Sequence, residues 1–265
     1  MASKPDRANY ILASDEEIAR LSNQHEVIKD AMSALLLVPI DLSDKSLRIL
    51  DSATADGMVL LPLSYRIDPT GLIVPGTWIV DLKSTCPYTP LHSFVGVDID
   101  ASNFPRDPPA GVTYQIQDIN KPWPKDWLNS FDVVHQRLAL VAAGPGAQTA
   151  VKNLSELIKP GGWIQLIEAD NVLTDADGLA MQGFVRLMKD IFTHIGTTLR
   201  LSKELSGWVK ENGFLNVQER VVNVQLGATN PNPQLAKRGV YSTVVAATGL
   251  VAFGKSRLIH VSYST

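Results

Sequence analysis

The chain has 265 residues, of which 45% are hydrophobic and 19% are charged, so a sizeable core is available and global disorder is excluded. The 24 Lys and Arg residues against 27 Asp and Glu residues give a net charge of −3, which argues against binding to a nucleic-acid backbone. No apolar run is long enough to cross a bilayer, and the single cysteine, Cys86, cannot form an internal disulfide, which favours a cytoplasmic location.

The first 45 residues predict a helical unit. Ser14 can cap a helix, and Glu17 follows three residues later, as in a capping box. Apolar residues and His25 then recur at helical spacing as far as Met32. We therefore expect residues 1–45 to form an N-terminal helical lid on a main domain of residues 46–265.

Five short apolar runs predict the strands of a sheet. They are Leu47–Asp51, Ser93–Asp98, Val112–Asp118, Phe131–His135 and Trp163–Glu168. A helix from about Ala147 to Ile158 is predicted between the last two. Apolar strands that alternate with helices indicate a mostly parallel sheet covered on both faces. The predicted fold class is α/β, with a Rossmann-like three-layer α/β/α sandwich.

The sequence after the fifth strand predicts two helices and one more strand. The helices are expected at about Asp177–Ile195 and Ser202–Asn212. Val217–Gln225 alternates between apolar and polar residues, which is typical of an antiparallel edge strand.

Acidic residues and one histidine stand where the predicted strands end. Asp51, Asp98 and Asp118 close the first three strands, and His135 closes the fourth. Ligands of parallel α/β sheets bind beyond the carboxyl ends of the strands, where carboxylates can accept hydrogen bonds from ribose hydroxyls or an exocyclic amine. The alternative is that the acids cap helices or loops, which explains one such acid more readily than three in order.

The turn after the first strand, from Asp51 to Gly57, consists of small residues that let a ligand approach the backbone. It resembles a dinucleotide-binding fingerprint, but Ala53 and Ala55 stand where that fingerprint has glycines. The pyrophosphate of NAD needs the bare backbone of the second glycine, whereas S-adenosylmethionine (SAM) has no phosphate. The turn therefore disfavours a nicotinamide cofactor more than it disfavours SAM.

Five segments in order resemble the motifs of class I SAM-dependent methyltransferases. The segments are Leu50–Gly57, Val95–Asp98, Gln117–Ile119, Phe131–Leu138 and Leu157–Trp163. An N-terminal signature between Tyr10 and His25 is similar to the fungal secondary-metabolite branch, which includes N-methyltransferases of epipolythiodioxopiperazine clusters. The resemblance spans roughly Tyr10 to Lys255.

The resemblance implies a SAM site in which each part of the cofactor has its own residues. The methionine half would face the turn after the first strand, the ribose and adenine would contact the ends of the second and third strands, and a histidine would border both SAM and the substrate. The implied cofactor-binding residues are Asp51, Ala53, Thr54, Gly57, Asp98, Ile99, Asp118, Ile119 and His135.

Catalysis by methyl transfer needs a base only when the acceptor carries a proton at neutral pH. His25 and His135 are the candidate bases, and the alternative for each is a structural histidine. Arg137 could reach a substrate carbonyl, the alternative being a salt bridge within the fold. The resemblance places Tyr10 and Gln24 with His25 in the lid over the pocket. No metal site is predicted.

The segment Met58–Gly76 interrupts the pattern between the first strand and the helix that should follow it. Its 19 residues include three prolines and show no regular period. Removing them joins Gly57 to Thr77 in a string that resembles the uninterrupted family motif. We interpret the segment as translated intron sequence, and the alternative is a genuine surface insertion.

The C-terminal sequence also departs from the family pattern. After Lys255 the family generally continues with another helix and a last strand that completes the sheet. Here Leu258–Ser262 provides at most one short strand. We therefore expect an open sheet edge at Val217–Gln225.

The sequence as a whole predicts a SAM-dependent methyltransferase that acts on nitrogen or oxygen of a small fungal secondary metabolite. One alternative is a SAM-binding pericyclase or dehydratase of the same fold, and another is a methyltransferase-like regulator of secondary metabolism. The expected partner is a small-molecule substrate, without nucleic acid or membrane. The sequence leaves the oligomeric state open.

Overall fold

The computed structural model describes residues 15–43, 46–54, 78–86, 92–101, 104–105, 108–174 and 177–258. Tyr10, Ser14, Gly57, the segment Met58–Gly76 and residues 259–265 therefore lie outside the described residues. The elements in chain order are α1 (Asp15–Met32), β1 (Arg48–Ser52), α2 (Trp78–Thr85), β2 (Ser93–Asp98), β3 (Val112–Ile116), β4 (Phe131–Arg137), α3 (Ala147–Ser155), β5 (Ile158–Ile167), α4 (Leu179–His194), α5 (Leu201–Glu211) and α6 (Pro233–Leu258). Short 3₁₀ helices lie at Lys125–Trp127, Leu140–Gly146 and Gly227–Thr229.

The five described strands form one sheet in the order β3-β2-β1-β4-β5, and every neighbouring pair is parallel. This arrangement confirms the five predicted strands and the predicted α/β fold class. The order of the strands reverses between β1 and β4, where Asp51 of β1 lies beside His135 of β4. Parallel sheets bind ligands at such a switch in strand order. The sheet thus directs attention to the carboxyl ends of β1 and β4.

Helices cover both faces of the sheet, because the central strands are apolar on both sides. On one face, Ile49 and Phe94 pack with Ile79 and Leu82 of α2. On the other face, Leu50 and Val134 pack with residues of α3 and of the loop that follows it. Side chains alternate between the faces along each strand, so neighbouring residues enter different cores. The predicted three-layer sandwich is therefore confirmed.

The predicted strand at Val217–Gln225 is wrong. The segment belongs to no strand, and Val221 is 85% exposed. A cleft of about 1780 Å³ separates the segment from β5, and residues of both line its walls. A strand forms only through hydrogen bonds to a neighbouring strand. Because the cleft separates Val217–Gln225 from β5, this segment has no neighbouring strand in the described part of the chain with which to pair.

The helices after the sheet follow the sequence more closely. α4 and α5 confirm the two predicted helices, each with ends shifted by one or two residues. α6 packs against both α1 and α4, and it includes Leu258, the first residue of the predicted last strand. None of the helices in the described part of the chain is both long and apolar enough to cross a bilayer.

Candidate active site

The acids at the ends of β2 and β3 lie side by side along the edge of the sheet. Asp98 is the last residue of β2 and is buried, and Asp118 follows β3 by two residues and is partly exposed. The two loops are tied together, because the backbone N–H of Gln117 donates to the carbonyl of Asp98 at 2.8 Å. Asp98 and Asp118 each also accept a hydrogen bond from the backbone two residues ahead. The acids therefore both shape their loops and stand at the edge where a ligand is expected.

The turn after β1 is tight and left-handed. Ala53 has a φ of 55°, a conformation that a glycine adopts without strain and that costs alanine roughly 1–2 kcal/mol. Thr54 fixes the turn, since its N–H donates to the carbonyl of Val97 at 2.8 Å and its hydroxyl donates to Asp51 at 2.7 Å. Gly96 leaves room for this packing, because a Cβ there would lie 3.1 Å from Thr54.

Asp51 and His135 form a buried pair at the switch in strand order. The Nδ1 atom of His135 lies 2.7 Å from Oδ1 of Asp51, so Nδ1 donates and Nε2 keeps its lone pair. Nε2 is buried and has no hydrogen-bond partner among the residues that the structure describes. Trp78 stacks on the imidazole with 3.6 Å between ring centroids. Burial lowers the pKa of His135, and the contact with Asp51 only partly offsets it, so the ring is uncharged near pH 7.

His25 is held on both sides of its ring. A guanidinium can only donate, so Arg137 donates to Nδ1 at 2.9 Å and Nε2 of His25 donates to Asp81 at 3.0 Å. Lys29 also contacts Asp81, at 2.6 Å. Burial opposes ionisation of Asp81, but the hydrogen bonds from His25 and Lys29 outweigh it and lower the pKa of the carboxyl. With both nitrogens engaged, the geometry favours the structural alternative for His25.

The remaining sequence-predicted residues have less specific positions. Gln24 lines the cleft beside β5, Ile99 is partly buried, and Ile119 is buried. His25, Glu26 and Asp81 bring three potential metal-ligand atoms within 4.8 Å of one another. Because Lys29 and Arg137 already supply positive charge to these groups, the arrangement disfavours a bound cation.

Three functional candidates escaped the sequence analysis: Trp78, Asp81 and Glu168. The first two lie in the string after Thr77 that resembles the family motif, which was a usable signal. Glu168 follows β5, and its Oε1 atom accepts backbone hydrogen bonds from Ala139 and Leu140 at 3.1 and 3.0 Å. Burial raises the pKa of Glu168 to about 7, although the two backbone hydrogen bonds lower it.

The residues on either side of the stretch 55–77 both lie close to Asp51. Thr54 donates to one carboxylate oxygen of Asp51, and Trp78 stacks on the histidine that binds the other oxygen. Without Met58–Gly76, the connection between Thr54 and Trp78 would have four residues instead of 23, a usual length for a loop between a strand and a helix.

We therefore expect that deleting Met58–Gly76 stabilises the protein and increases its affinity for SAM. The shorter loop lowers the entropy cost of closure by about 1.5 kcal/mol, which corresponds to a rise in melting temperature of about 3–6 °C. Calorimetry with SAM and thermal unfolding measure the two effects. A Gly/Ser linker of the same 19-residue length is the control for loop length. A deleted form that melts lower or binds SAM less tightly contradicts the intron interpretation.

Comparisons with known proteins identify the relatives of the chain, although no protein-family model matches it. N-methyltransferase sirN of Leptosphaeria maculans is 35% identical over 233 residues, 86% of this chain and 74% of the relative. N-methyltransferase gliN of Aspergillus fumigatus is 32% identical over 245 residues, 89% of this chain and 79% of the relative.

A third relative, N-methyltransferase tcpN of Claviceps purpurea, is 35% identical over 227 residues, covering 82% of this chain and 73% of the relative. These matches confirm the resemblance that the sequence motifs indicate. In all three, the aligned region takes up most of both chains. The chain therefore belongs to the fungal branch of the SAM-dependent methyltransferases, the family of sirN, gliN and tcpN.

Proposed function

We propose that the chain methylates a nitrogen atom of a small fungal metabolite and that His135 accepts the proton which this nitrogen loses. The Asp51–His135 pair carries the proposal, because it places an unpartnered, basic Nε2 atom at the switch in strand order. Nitrogen is favoured over oxygen because relatives at 32–35% identity are named N-methyltransferases. Small-molecule substrates are inferred from the same resemblance.

The residues at the strand ends fit SAM as the cofactor. Asp98 and Asp118 offer carboxylate acceptors beyond the ends of two neighbouring strands, which suit the ribose hydroxyls and the adenine amine. The turn at Ala53 offers no glycine-rich cradle for a phosphate, and SAM has none. We assign the ribose to Asp98, the adenine to Asp118 with Ile119, and the methionine half to the turn at Ala53. When bound, SAM supplies a methyl group already activated by its sulfonium.

The protein's part in the reaction is to align the acceptor and to hold its proton. Asp51 keeps the Nδ1 proton of His135 in place, so that Nε2 can accept a proton from the acceptor nitrogen. The same carboxylate stabilises the imidazolium that results. Arg137 contributes donors on the same strand, two residues further along, for a carbonyl of the acceptor. His135 is 1% exposed, so the substrate reaches Nε2 only when the residues that bury the imidazole move aside.

The direct test is transfer of label from methyl-labelled SAM. The protein is incubated with intermediates of the epipolythiodioxopiperazine class that the sequence resemblance implies, and products are separated by mass and located by NMR. We expect the label on a nitrogen atom of the product. Label on oxygen would contradict N-methylation, and an unlabelled product would support the pericyclase or dehydratase alternative. The predicted cytoplasmic location stays a prediction.

A further inference from the structure

One carboxylate oxygen of Glu168 accepts backbone hydrogen bonds, and the other does not. The chain turns sharply after β4, where Leu138 has a φ of 53°, and the next two backbone N–H groups point at Oε1 of Glu168. Oε2 makes no hydrogen bond to the residues that the structure describes. The side chain lines the cleft between β5 and residues 214–226. Half of the carboxylate is therefore fixed by the backbone, and the other half is available to a ligand.

The capping role of Glu168 does not explain why an ionisable carboxyl group stands at this position. A glutamine at the same position would accept the same two hydrogen bonds through its amide oxygen. Holding a carboxylate away from water costs free energy unless a cation or a strong donor accompanies it. In the described part of the chain, no lysine or arginine lies within ion-pair distance of Glu168. Lys203 instead forms an ion pair with Asp170. Beyond the two hydrogen bonds that Oε1 accepts, the carboxyl group of Glu168 therefore has no structural role in the described part of the chain.

The position of Glu168 separates it from the proposed site of methyl transfer. Ile167 pairs in register with Arg137, so Glu168 lies one residue beyond the last paired position of β5. Because side chains alternate along a strand, Glu168 points away from the face that carries Arg137 and His135. A ligand that reaches both His135 and Glu168 must therefore extend across the end of the sheet.

We infer that Oε2 of Glu168 binds an ammonium or N–H group of the methyl acceptor, at a nitrogen atom other than the one that is methylated. The inference rests on the proposed function, because it requires that the acceptor methylated beside His135 extends into the cleft that Glu168 lines. A charged acceptor of this kind recognises an N–H donor far better than it recognises a carbonyl or an apolar group. Glu168 would thus determine which acceptors bind and how they lie.

The test uses phenethylammonium as the probe and its trimethylated derivative, which keeps the charge but has no N–H. Binding to the full-length protein, saturated with S-adenosylhomocysteine, is followed by NMR titration. We expect phenethylammonium to bind the original protein more tightly than the trimethylated derivative. We expect Glu168→Gln to weaken phenethylammonium binding roughly 10-fold or more, as loss of a hydrogen bond to a charged group implies.

Glu219→Gln is the matched control, because Glu219 is an exposed carboxylate that lines the same cleft. Besides Glu168 and Glu219, the charged residues that line the cleft are unchanged in both variants; they are Lys152, Glu156, Lys159, Asp170, Lys203 and Arg220. The inference is overturned if the original protein does not bind the probe, or if the two variants lose affinity equally. It is also overturned if Glu168→Gln fails to fold, because the charge would then serve the fold.

Failure of this inference is distinguishable from failure of the proposed function. The affinity for S-adenosylhomocysteine and the transfer of label from SAM are measured separately on the same variant. We expect the affinity for S-adenosylhomocysteine to be unchanged in Glu168→Gln. Intact label transfer with unchanged probe binding removes Glu168 from the site but leaves the methyltransferase assignment in place.

Discussion

Replacing His135 with glutamine is expected to lower kcat about 100- to 10,000-fold, the range that general acid–base catalysis contributes. Glutamine can keep a hydrogen bond to Asp51 through its amide N–H₂, but it has no basic nitrogen. The SAM dissociation constant should change far less than kcat, because His135 acts directly on the methyl acceptor and only indirectly, through Asp51, on the turn at Ala53. Single-turnover transfer of label from SAM, with calorimetry of SAM binding, separates the two quantities.

The pH dependence of the reaction provides a second test of His135 as the proton acceptor. Only the uncharged imidazole can accept a proton, and burial lowers the pKa of this ring below its ordinary value of 6.5. With acceptor at saturation, so that protonation of Glu168 does not limit binding, the rate should therefore be constant around pH 7 and 8 and should fall only as the pH drops through the lowered pKa of His135. In His135→Gln this acid-side decrease should disappear. A profile that is unchanged in the variant would remove His135 as the base.

His92 provides the matched control for this substitution. It is also a buried histidine, and both of its ring nitrogens bond to the backbone, at Leu47 and Leu42. His92→Gln disturbs a buried imidazole at the opposite end of the strands from the proposed site. We expect it to lower the melting temperature without changing the pH profile of turnover. Equal kinetic losses in the two variants would mean that His135 acts only through stability.

Replacing Asp98 with alanine is expected to weaken SAM binding roughly 10- to 150-fold, because a hydrogen bond to a charged group contributes about 1.5–3 kcal/mol. Asp98 closes β2 and is buried, so water cannot easily substitute for it at the ribose hydroxyls. Isothermal titration calorimetry measures the dissociation constant. An unchanged value would exclude Asp98 from the cofactor site.

The variant Asp98→Asn distinguishes a role of Asp98 in shaping its loop from a role in binding the ribose. The backbone N–H of Asp100 donates to Asp98 at 3.1 Å, and an asparagine oxygen can still accept that hydrogen bond. If the charge holds the ribose, Asp98→Asn should bind SAM more weakly than the original protein and more tightly than Asp98→Ala. If only the loop matters, asparagine should restore full affinity.

The sheet could be predicted because its strands carry their own signal. Apolar runs of five to seven residues predict buried parallel strands, and each run corresponds to one of β1 to β5. The start of β5 was predicted five residues too late, because Lys159–Gly162 looks like a helix stop. In the structure this stretch bulges from the strand, and Gly162 has no space for a Cβ beside Ile158. The failure at Val217–Gln225 has a different cause, since pairing depends on a neighbour and not on the segment itself.

The acids at the strand ends could also be predicted, but their partners could not. Asp51 and His135 are 84 residues apart, and His25 and Asp81 are 56 apart. The first contact depends on β1 and β4 being neighbours in the sheet, and the second depends on how α1 and α2 pack together; hydrophobic periodicity encodes neither. The raised pKa of Glu168 depends on burial in the same way. The sequence thus predicts which residues stand at this edge of the sheet, whereas tertiary packing decides which of their groups are engaged.

The two hydrogen bonds that Asp51 accepts couple ligand binding at the turn after β1 to protonation of His135. One oxygen of Asp51 accepts a hydrogen bond from Thr54 in the turn at Ala53, and the other accepts one from His135. A ligand that shifts the turn therefore changes the electrostatic environment of the imidazole and the free energy of protonating it. Linkage is reciprocal, so protonation of His135 must change the affinity for that ligand by the same factor. SAM binding to this protein should accordingly release or take up a fraction of a proton, which calorimetry in buffers of different ionisation enthalpy would measure.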